Sequence, residues 1–598
     1  MKKLSHWLAF LLLILASCGK VDFGYLKVDQ PYVGKYQDKT CVVVFDEANE
    51  GNLSGRVYLD NGTSEVDPIA ITSVLGTTGK GILRIKGTEM KLKRVSLKKN
   101  RIQGHLNNKS FSFSLDEDAN LQYKPLYKER CYGVAMEENR VFAKNVEGYW
   151  MSYPDTDENF GTIYIDKVSH LVSTKKLDLD MDVYYPNEPA IIPRPLLVLI
   201  HGGAFYNGDK QALGYPEMGH YFAERGYVVA SINYRLGFKP LAGDVDRAGY
   251  RALQDAHAAV CHLIENADEF GIDTTMIFAA GTSAGAITAL NLAFMREENR
   301  PETTKAGGVT GWILSASKKL IGLFDKGIGF FGNLFNQNWS INGDEICKQL
   351  GLDSDLGPIN AVAGSLDRPF QIRAVVNMWG AVHDLAMLKN SPETSILSFH
   401  GDEDPIVPYG YGYPFDKVLD PYVDDIIDGL PNYMQGVALL MQSWVTKGKP
   451  INEWAFNPMQ GSKAIHDKAY LIKKKNGEPM RSELHTLEGA DSHSLHVVNG
   501  ELSDYFYDTI IPAMTQFLYE EIVGGKTVRL VQKGTWFEAE DIDNVVELHW
   551  QVDGGAVIGH QGDNKAKIWF FSDAEEHSVS VCGRYKNGVE FRETWKER

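Results

Sequence analysis

The stretch that most constrains this chain is Met276–Ile287. Met276-Ile277-Phe278-Ala279-Ala280 is a short, wholly apolar run, the pattern of a strand buried on both faces. Gly281-Thr282-Ser283-Ala284-Gly285 follows, and the chain then continues as a helix rich in Ala and Leu to near Arg296. A strand that turns this sharply into a helix needs small residues two before and two after the apex. Larger side chains there would collide across the turn. The apex residue, here Ser283, is held strained with its side chain exposed. Gly-x-Ser-x-Gly alone is a weak signal, because Gly and Ser are common in ordinary turns. The strand before it and the helix after it nominate Ser283 as a nucleophile rather than a structural turn serine.

The rest of the middle of the chain repeats this rhythm. Leu177–Pro186 alternates as a strand with one exposed face. Leu196–Ile200, Tyr227–Ile232, Ile372–Met378, Ser395–Phe399 and Glu483–Leu487 read as further strands. Helical spacing lies between them at Tyr215–Arg225 and Arg251–Glu269, where Ala252, Ala256, Ala259, Val260 and Leu263 share a face, and a last helix is predicted at Tyr505–Glu521. Strands alternating with helices predict an α/β fold with a mostly parallel sheet covered on both faces. Two excursions, 299–369 and 405–480, break the rhythm. The first contains the apolar stretch Trp312–Phe335, the second helical pieces around Asp424–Val445, and both are expected to cap the pocket.

Both ends of the chain read differently. Residues 20–147 are predicted as a β-rich domain, with short strands at Thr40–Phe45, Gly55–Leu59, Gly81–Ile85 and Ser110–Leu115 and turns at Asn61-Gly62 and Asn107-Asn108. Lys91–Arg101 is basic, but its alternation with Leu92, Val95 and Leu97 marks a solvated strand face. The α/β domain is expected at 148–524 and a C-terminal β-sandwich at 525–598. His577-Ser578-Val579-Ser580-Val581 followed by Gly583-Arg584-Tyr585 resembles the end of an immunoglobulin-like or PKD-like module, a kind that spaces domains or binds a glycan or a protein.

At 598 residues the chain is long enough for two to four domains. A formal net charge of -17, with no basic cluster to override it, argues against a nucleic-acid surface. Lys2 and Lys3 precede an apolar run, Leu8–Leu15, too short for a typical spanning helix. Leu15-Ala16-Ser17-Cys18-Gly19 resembles the bacterial lipobox. That resemblance implies a signal peptide over 1–18, a lipid on Cys18 and an exported protein anchored to a bacterial membrane, the outer membrane being expected. Of the other cysteines, no pair has metal-ligand spacing. Cys41 and Cys131 are a candidate disulfide in an oxidising compartment, and Cys261 sits in a helical core pattern.

Acyl transfer needs a nucleophile, a base, an acid that orients the base, and donors for the oxyanion. Each has a candidate at the end of a predicted strand, where open parallel sheets bind ligands. His201-Gly202-Gly203-Ala204-Phe205 follows one strand, and its adjacent glycines let backbone amides approach a substrate. Gly203 and Ala204 are the expected donors there, with Ala284 after the nucleophile as another. Asp404, in His400-Gly401-Asp402-Glu403-Asp404, is the expected acid. Asp402 reads as a turn-former and Asp384 as the alternative. His493 is the expected base, with His496 as the alternative. The order Ser283, Asp404, His493 is that of α/β-hydrolases.

On these residues the chain resembles the α/β-hydrolase superfamily. His201-Gly202-Gly203-Ala204 is similar to the oxyanion motif of the carboxylesterase and hormone-sensitive-lipase-like branch. Asn233-Tyr234-Arg235-Leu236 is similar to a strand-end motif of those esterases. Leu179–Pro186 looks like the opening strand of feruloyl and acetyl-xylan esterase domains. Ala204 stands where a third glycine is usual. The resemblance implies a serine esterase acting on a small or glycan-linked ester, with no metal and no organic cofactor. A lipase or peptidase on the same fold, or a surface binding protein using an inactive scaffold, are the other readings.

Overall fold

The computed structural model describes residues 23–49, 52–76, 79–86, 88–98, 100–115, 118, 121–149, 174–237, 244–307, 354–362, 368–415, 457–560 and 564–597. They form two compact units: Tyr127–Ile522, and a second built from both ends of the chain, Met1–Leu126 with Val523–Arg598.

The unit Tyr127–Ile522 is built on one eight-stranded sheet. In chain order its strands are β1 (Val134–Tyr149), β2 (Thr174–Pro186), β3 (Arg194–Ile200), β4 (Val228–Ile232), β5 (Ile272–Thr282), β6 (Ile372–Met378), β7 (Ser395–Gly401) and β8 (Ser482–Leu487). Their spatial order is β1-β2-β4-β3-β5-β6-β7-β8. β1, β2 and β4 pair antiparallel, and from β4 to β8 every pairing is parallel. All seven residues of β3 and of β7 are buried. A parallel strand has helices over both faces, so both sets of its side chains must be apolar or paired.

Five helices matter for the site: α1 (Tyr215–Ala223), α2 (Asp244–Glu265), α3 (Ala284–Phe294), α4 (Ser462–Tyr470) and α5 (Ile511–Val523). α2 buries Ala252, Ala256, Ala259, Val260 and Leu263, the face its spacing predicts, in one core with Ala289, Leu290 and Ala293 of α3. It begins seven residues before the expected Arg251 and ends at Glu265, where a separate short helix, Ala267–Phe270, takes over. The expected last helix is divided: Phe506–Ile510 is a π-helical turn that runs into α5.

The domain boundary expected at 147/148 lies earlier in the structure. β1 shares a ladder with β2 from Val134↔Pro186 to Tyr149↔Thr174, so it belongs to the α/β sheet. Within the second excursion, Tyr411–Gly412 and Met459–Gly461 form a small sheet with Ala381–Val382. Trp312–Phe335, Asp424–Val445 and Cys18 lie outside the described residues.

In the second unit, the N-terminal strands close into an antiparallel barrel of eight. They are Pro31–Tyr36, Lys39–Asn49, Asn52–Leu59, Pro68–Leu75, Gly81–Ile85, Thr88–Lys98, Arg101–Leu106 and Lys109–Leu115, with the first pairing to the last through Val33↔Ser114. Asn107 and Asn108 have φ of 48° and 69°, the left-handed pair that a two-residue hairpin needs. The tail forms two sheets: Arg529–Lys533, Trp536–Glu540, Lys565–Phe571 and Gly555–His560 in one, and Val545–Asp553, Ser578–Tyr585 and Glu590–Lys596 in the other. The tail is not a separate body. Glu65–Val66 adds to its first sheet beside Phe570 and Phe571, and Tyr58 stacks on Phe571 with ring centroids 3.8 Å apart. Val42, Val44 and Tyr58 on the outside of the barrel share one buried cluster with Ala556, Trp569 and Phe571. Cys41 is a buried thiol that bonds Lys39 O, so the candidate disulfide is not formed.

Candidate active site

The turn from β5 into α3 is as tight as its sequence demands. Ser283 has φ +53°, in the left-handed region that non-glycine residues rarely adopt. A Cβ on Gly285 would lie 1.9 Å from the carbonyl oxygen of Ile200, and one on Gly281 2.4 Å from the carbonyl carbon of Gly285. Both positions therefore exclude any side chain. The Ser283 amide donates to Met378 O on β6 at 2.9 Å. Tyr215 of α1 fixes the turn from the other side, its hydroxyl donating to Ile200 O at 2.7 Å and accepting from the Thr282 amide at 3.2 Å.

The structure brings Ser283, His493 and Asp404 into one line. His493 Nε2 lies 2.8 Å from Ser283 Oγ, and its Nδ1 lies 2.7 Å from Asp404 Oδ2. Asp404 follows β7 and His493 follows β8, so the parallel strands deliver all three side chains to the same sheet end. Asp404 is 8% exposed. Its Oδ1 accepts from the amides of Ile406 and Val407 at 2.8 and 3.1 Å. Burial alone would raise its pKa, but the hydrogen bonds from His400 and His493 outweigh it and hold the carboxyl well below the usual range.

The alternatives have other places. His496 stacks on Trp379 at 5.0 Å, and burial, followed by the field of His493, pulls its pKa down to about 4. Asp384 caps the 3-10 turn Leu385–Asn390 by accepting from the Ala386 amide at 2.7 Å. Asp402 was expected to bond its own backbone. It instead accepts from the Gly489 amide at 2.7 Å, tying the Asp404 loop to the His493 loop.

The loop after β3 carries three successive left-handed residues, Gly203, Ala204 and Phe205, with φ of 104°, 53° and 60°. The Gly203 carbonyl turns back to accept from the amides of Tyr206 and Asn207 at 2.8 and 2.9 Å. In a planar trans peptide the Ala204 amide is anti to that carbonyl and so points out of the loop. A Cβ on Gly202 would lie 3.4 Å from Ser283 Cβ, which measures how closely the loop approaches the nucleophile. The Ala284 amide belongs to the first turn of α3, whose amides have no intrahelical acceptor. His201 anchors the loop. It is buried, which lowers its pKa to about 4, and it stacks on Tyr234 at 4.3 Å. Asn233 and Arg235, beside Tyr234, are held by acidic side chains: Asn233 Nδ2 donates to Asp180 Oδ1 at 2.6 Å, and Arg235 pairs with buried Asp255 at 2.8 Å.

A cavity of about 480 Å³ opens at Ser283, and Ala204 and Ala284 line it beside the nucleophile. The described parts of both excursions contribute, through Thr303 from the first and Ile406, Val407, Phe415 and Met459 from the second. Most of the wall is apolar. One corner is not: Asp246 of α2 accepts from Asn457 at 3.0 Å and from Thr303 at 3.3 Å. Burial there raises the Asp246 pKa above the ordinary carboxylate value. Sequence reasoning missed this corner, as well as His400 and Tyr215. Asp246 reads as one more charge near a helix start, and its partners stand 57 and 211 residues away.

Sheet order, turn and aligned side chains define an α/β-hydrolase fold with Ser283, His493 and Asp404 in line. Residues 181–398 match the BD-FAE family, a segment that includes Ser283 and ends before Asp404 and His493. Gut esterase 1 of Caenorhabditis elegans is 33% identical over 138 residues, 21% of this chain and 24% of that protein. Esterase-5C of Drosophila pseudoobscura pseudoobscura is 30% identical over 149 residues, 24% of this chain and 26% of that protein. The chain thus spans about a quarter of the length of these relatives. A solved structure of esterase 2 from Thermogutta terrifontis, phosphonylated by cyclosarin, is 16% identical. That alignment covers 57% of this chain and 89% of the other, with a TM-score of 0.30.

Proposed function

We propose that the chain hydrolyses carboxylic esters through an acyl-enzyme on Ser283. The observation that carries this reading is the alignment of Ser283, His493 and Asp404 at 2.8 and 2.7 Å at the mouth of an apolar cavity. Ser283 Oγ attacks the ester carbonyl while its proton passes to His493 Nε2. Asp404 accepts from Nδ1, which fixes the tautomer and stabilises the imidazolium. The carbonyl oxygen gains negative charge and is met by the amides of Ala204, Ala284 and Gly203. The C–O bond breaks, and the alcohol leaves with the proton from His493. A water, deprotonated by the same nitrogen, then attacks the acyl carbon, releasing the acid and restoring Ser283. None of these steps calls on a metal or an organic cofactor.

Hydrolysis of p-nitrophenyl butyrate and palmitate by the chain and by Ser283→Ala tests this. The expected result is turnover of the short ester that falls by about 10⁴-fold or more in the variant. Equal turnover in Ser283→Ala would overturn it. Preference for the palmitate would favour a lipase.

We also propose that the protein is exported and lipid-anchored through Cys18. Leu15-Ala16-Ser17-Cys18-Gly19 supports that reading. Metabolic labelling with a radioactive fatty acid checks it, with label expected in the chain and absent from Cys18→Ala. The tail, with its two sheets, is read as a β-sandwich for binding a glycan or a protein.

A further inference from the structure

We propose that the eight-stranded barrel binds a single unbranched aliphatic chain of the fatty-acyl type. Its interior is a cavity of about 350 Å³, walled by inward-facing side chains such as Val43, Val57, Ile71 and Leu92, with Ser73 among them. Among the described residues, no charged side chain lines it. Protein interiors are close-packed, with few voids larger than a water molecule, so this space is not a packing defect. A barrel of eight strands either fills its interior with side chains or holds one small ligand. This cavity falls in the range of about 300–1,000 Å³ typical of ligand pockets.

The barrel is a cup. At one end Phe23 and Leu26 pack against the core. That segment is pinned there by the Lys27 amide on Tyr32 Oη and the Asp29 amide on Phe45 O, both at 2.8 Å. Tyr32 at this end is 1% exposed. The other end is open. Because neighbouring strands run antiparallel, the end of one strand and the start of the next meet there. Tyr36, Leu59, Ile69, Ile85, Met90 and Phe111 form that rim, each lining the cavity and each partly or largely exposed. Leu59 is 42% exposed.

Shape selects the ligand. Asn52–Leu59 crosses from closed end to open end in eight residues. At about 3.3 Å per residue and a tilt of about 40°, the cup is roughly 18 Å deep. That depth set against the cavity volume makes the space longer than it is wide, the proportions of one extended methylene chain. The rim turns carry Lys39, Lys86 and Lys109 beside Asp38 and Asp60, all exposed, so a polar head group stays in water.

Displacement of a fluorescent polyene fatty acid from the full chain tests the assignment. One saturable site is expected, competed by dodecanoate and by dodecanol and not by a sterol. Val57→Phe, which fills the cavity, should weaken binding at least tenfold while turnover of a short ester is unchanged. If Val57→Phe does not fold, Leu59→Lys on the exposed rim carries the same expectation. Absence of saturable binding would overturn the proposal. Binding unchanged in the folded variants would do so too, because the probe would then sit elsewhere, as would competition by the sterol alone.

Discussion

His400 and His493 meet at one oxygen: Asp404 Oδ2 lies 3.3 Å from His400 Nε2 and 2.7 Å from His493 Nδ1. His400 Nε2 also lies 3.1 Å from Val407 O, and its Nδ1 lies 2.7 Å from Ser462 Oγ. Val407 O can only accept, so His400 Nε2 carries a proton and faces Asp404 as a donor. His400 is thus a fully buried donor that holds the acid from behind. It is a positioning residue. His400→Leu should lower kcat about tenfold with KM little changed, because Asp404 loses a donor and its aim while the cavity stays intact. A raised KM at constant kcat would contradict this role.

The glycines around Ser283 make a second prediction. Gly285→Ala would drive a methyl group to within 1.9 Å of Ile200 O, and backbone on both sides leaves little room to yield. Thermal melts should show a loss of several kcal/mol, and ester turnover should fall at least a hundredfold. Gly489→Ala makes a useful contrast. Gly489 has φ +68°, but nothing lies within 4 Å of the added carbon, so only backbone strain of about 1 kcal/mol is expected.

Acid sensitivity follows from the buried imidazoles. His201 and His496 titrate near 4 when folded and near 6.5 when unfolded. Between those values the unfolded chain binds more protons than the folded one. Stability from these groups is therefore full above about pH 6.5, falls as pH drops towards 4, and levels off below. His496→Phe keeps a ring against Trp379 and removes one of the two. Urea midpoints at pH 7 and pH 4.5 should lie closer together in this variant, by about 2 kcal/mol of unfolding free energy. An unchanged gap would rule out the assignment.

In the second unit, Phe571 joins the tail to the barrel. It stacks on Tyr58, whose hydroxyl donates to Asp573 at 3.0 Å, while Arg56 donates to the same carboxylate at 2.9 Å. Phe571→Ala should cost about 3–5 kcal/mol in this unit. Differential scanning calorimetry should show one transition moving down. Turnover of a short ester below that transition should be unaffected.

What the sequence disclosed depended on range. Continuous apolar runs such as Leu196–Ile200 and Ser395–Phe399 mark buried parallel strands, because both faces must be apolar. Ser283, Asp404 and His493 were legible because each stands just beyond such a run. His400 was not: it belongs to the β7 run itself, and its partner Ser462 lies 62 residues on. The barrel could be read as strands but not as a closed ring, because closure rests on Val33 meeting Ser114. β1 was assigned to the wrong side of the domain boundary because its partner, β2, begins 25 residues after it ends.

The second unit is made from the first and last parts of the chain, and this sets an order for its synthesis. The ribosome completes the barrel, and then the whole α/β unit, before Trp569 and Phe571 exist. Until then Val42, Val44 and Tyr58 on the barrel's outer wall have no cover from the tail. The nascent chain therefore carries a sticky patch through most of its translation. Any release of the chain before Phe571, by a premature stop or by proteolysis, leaves that patch permanently open to other molecules.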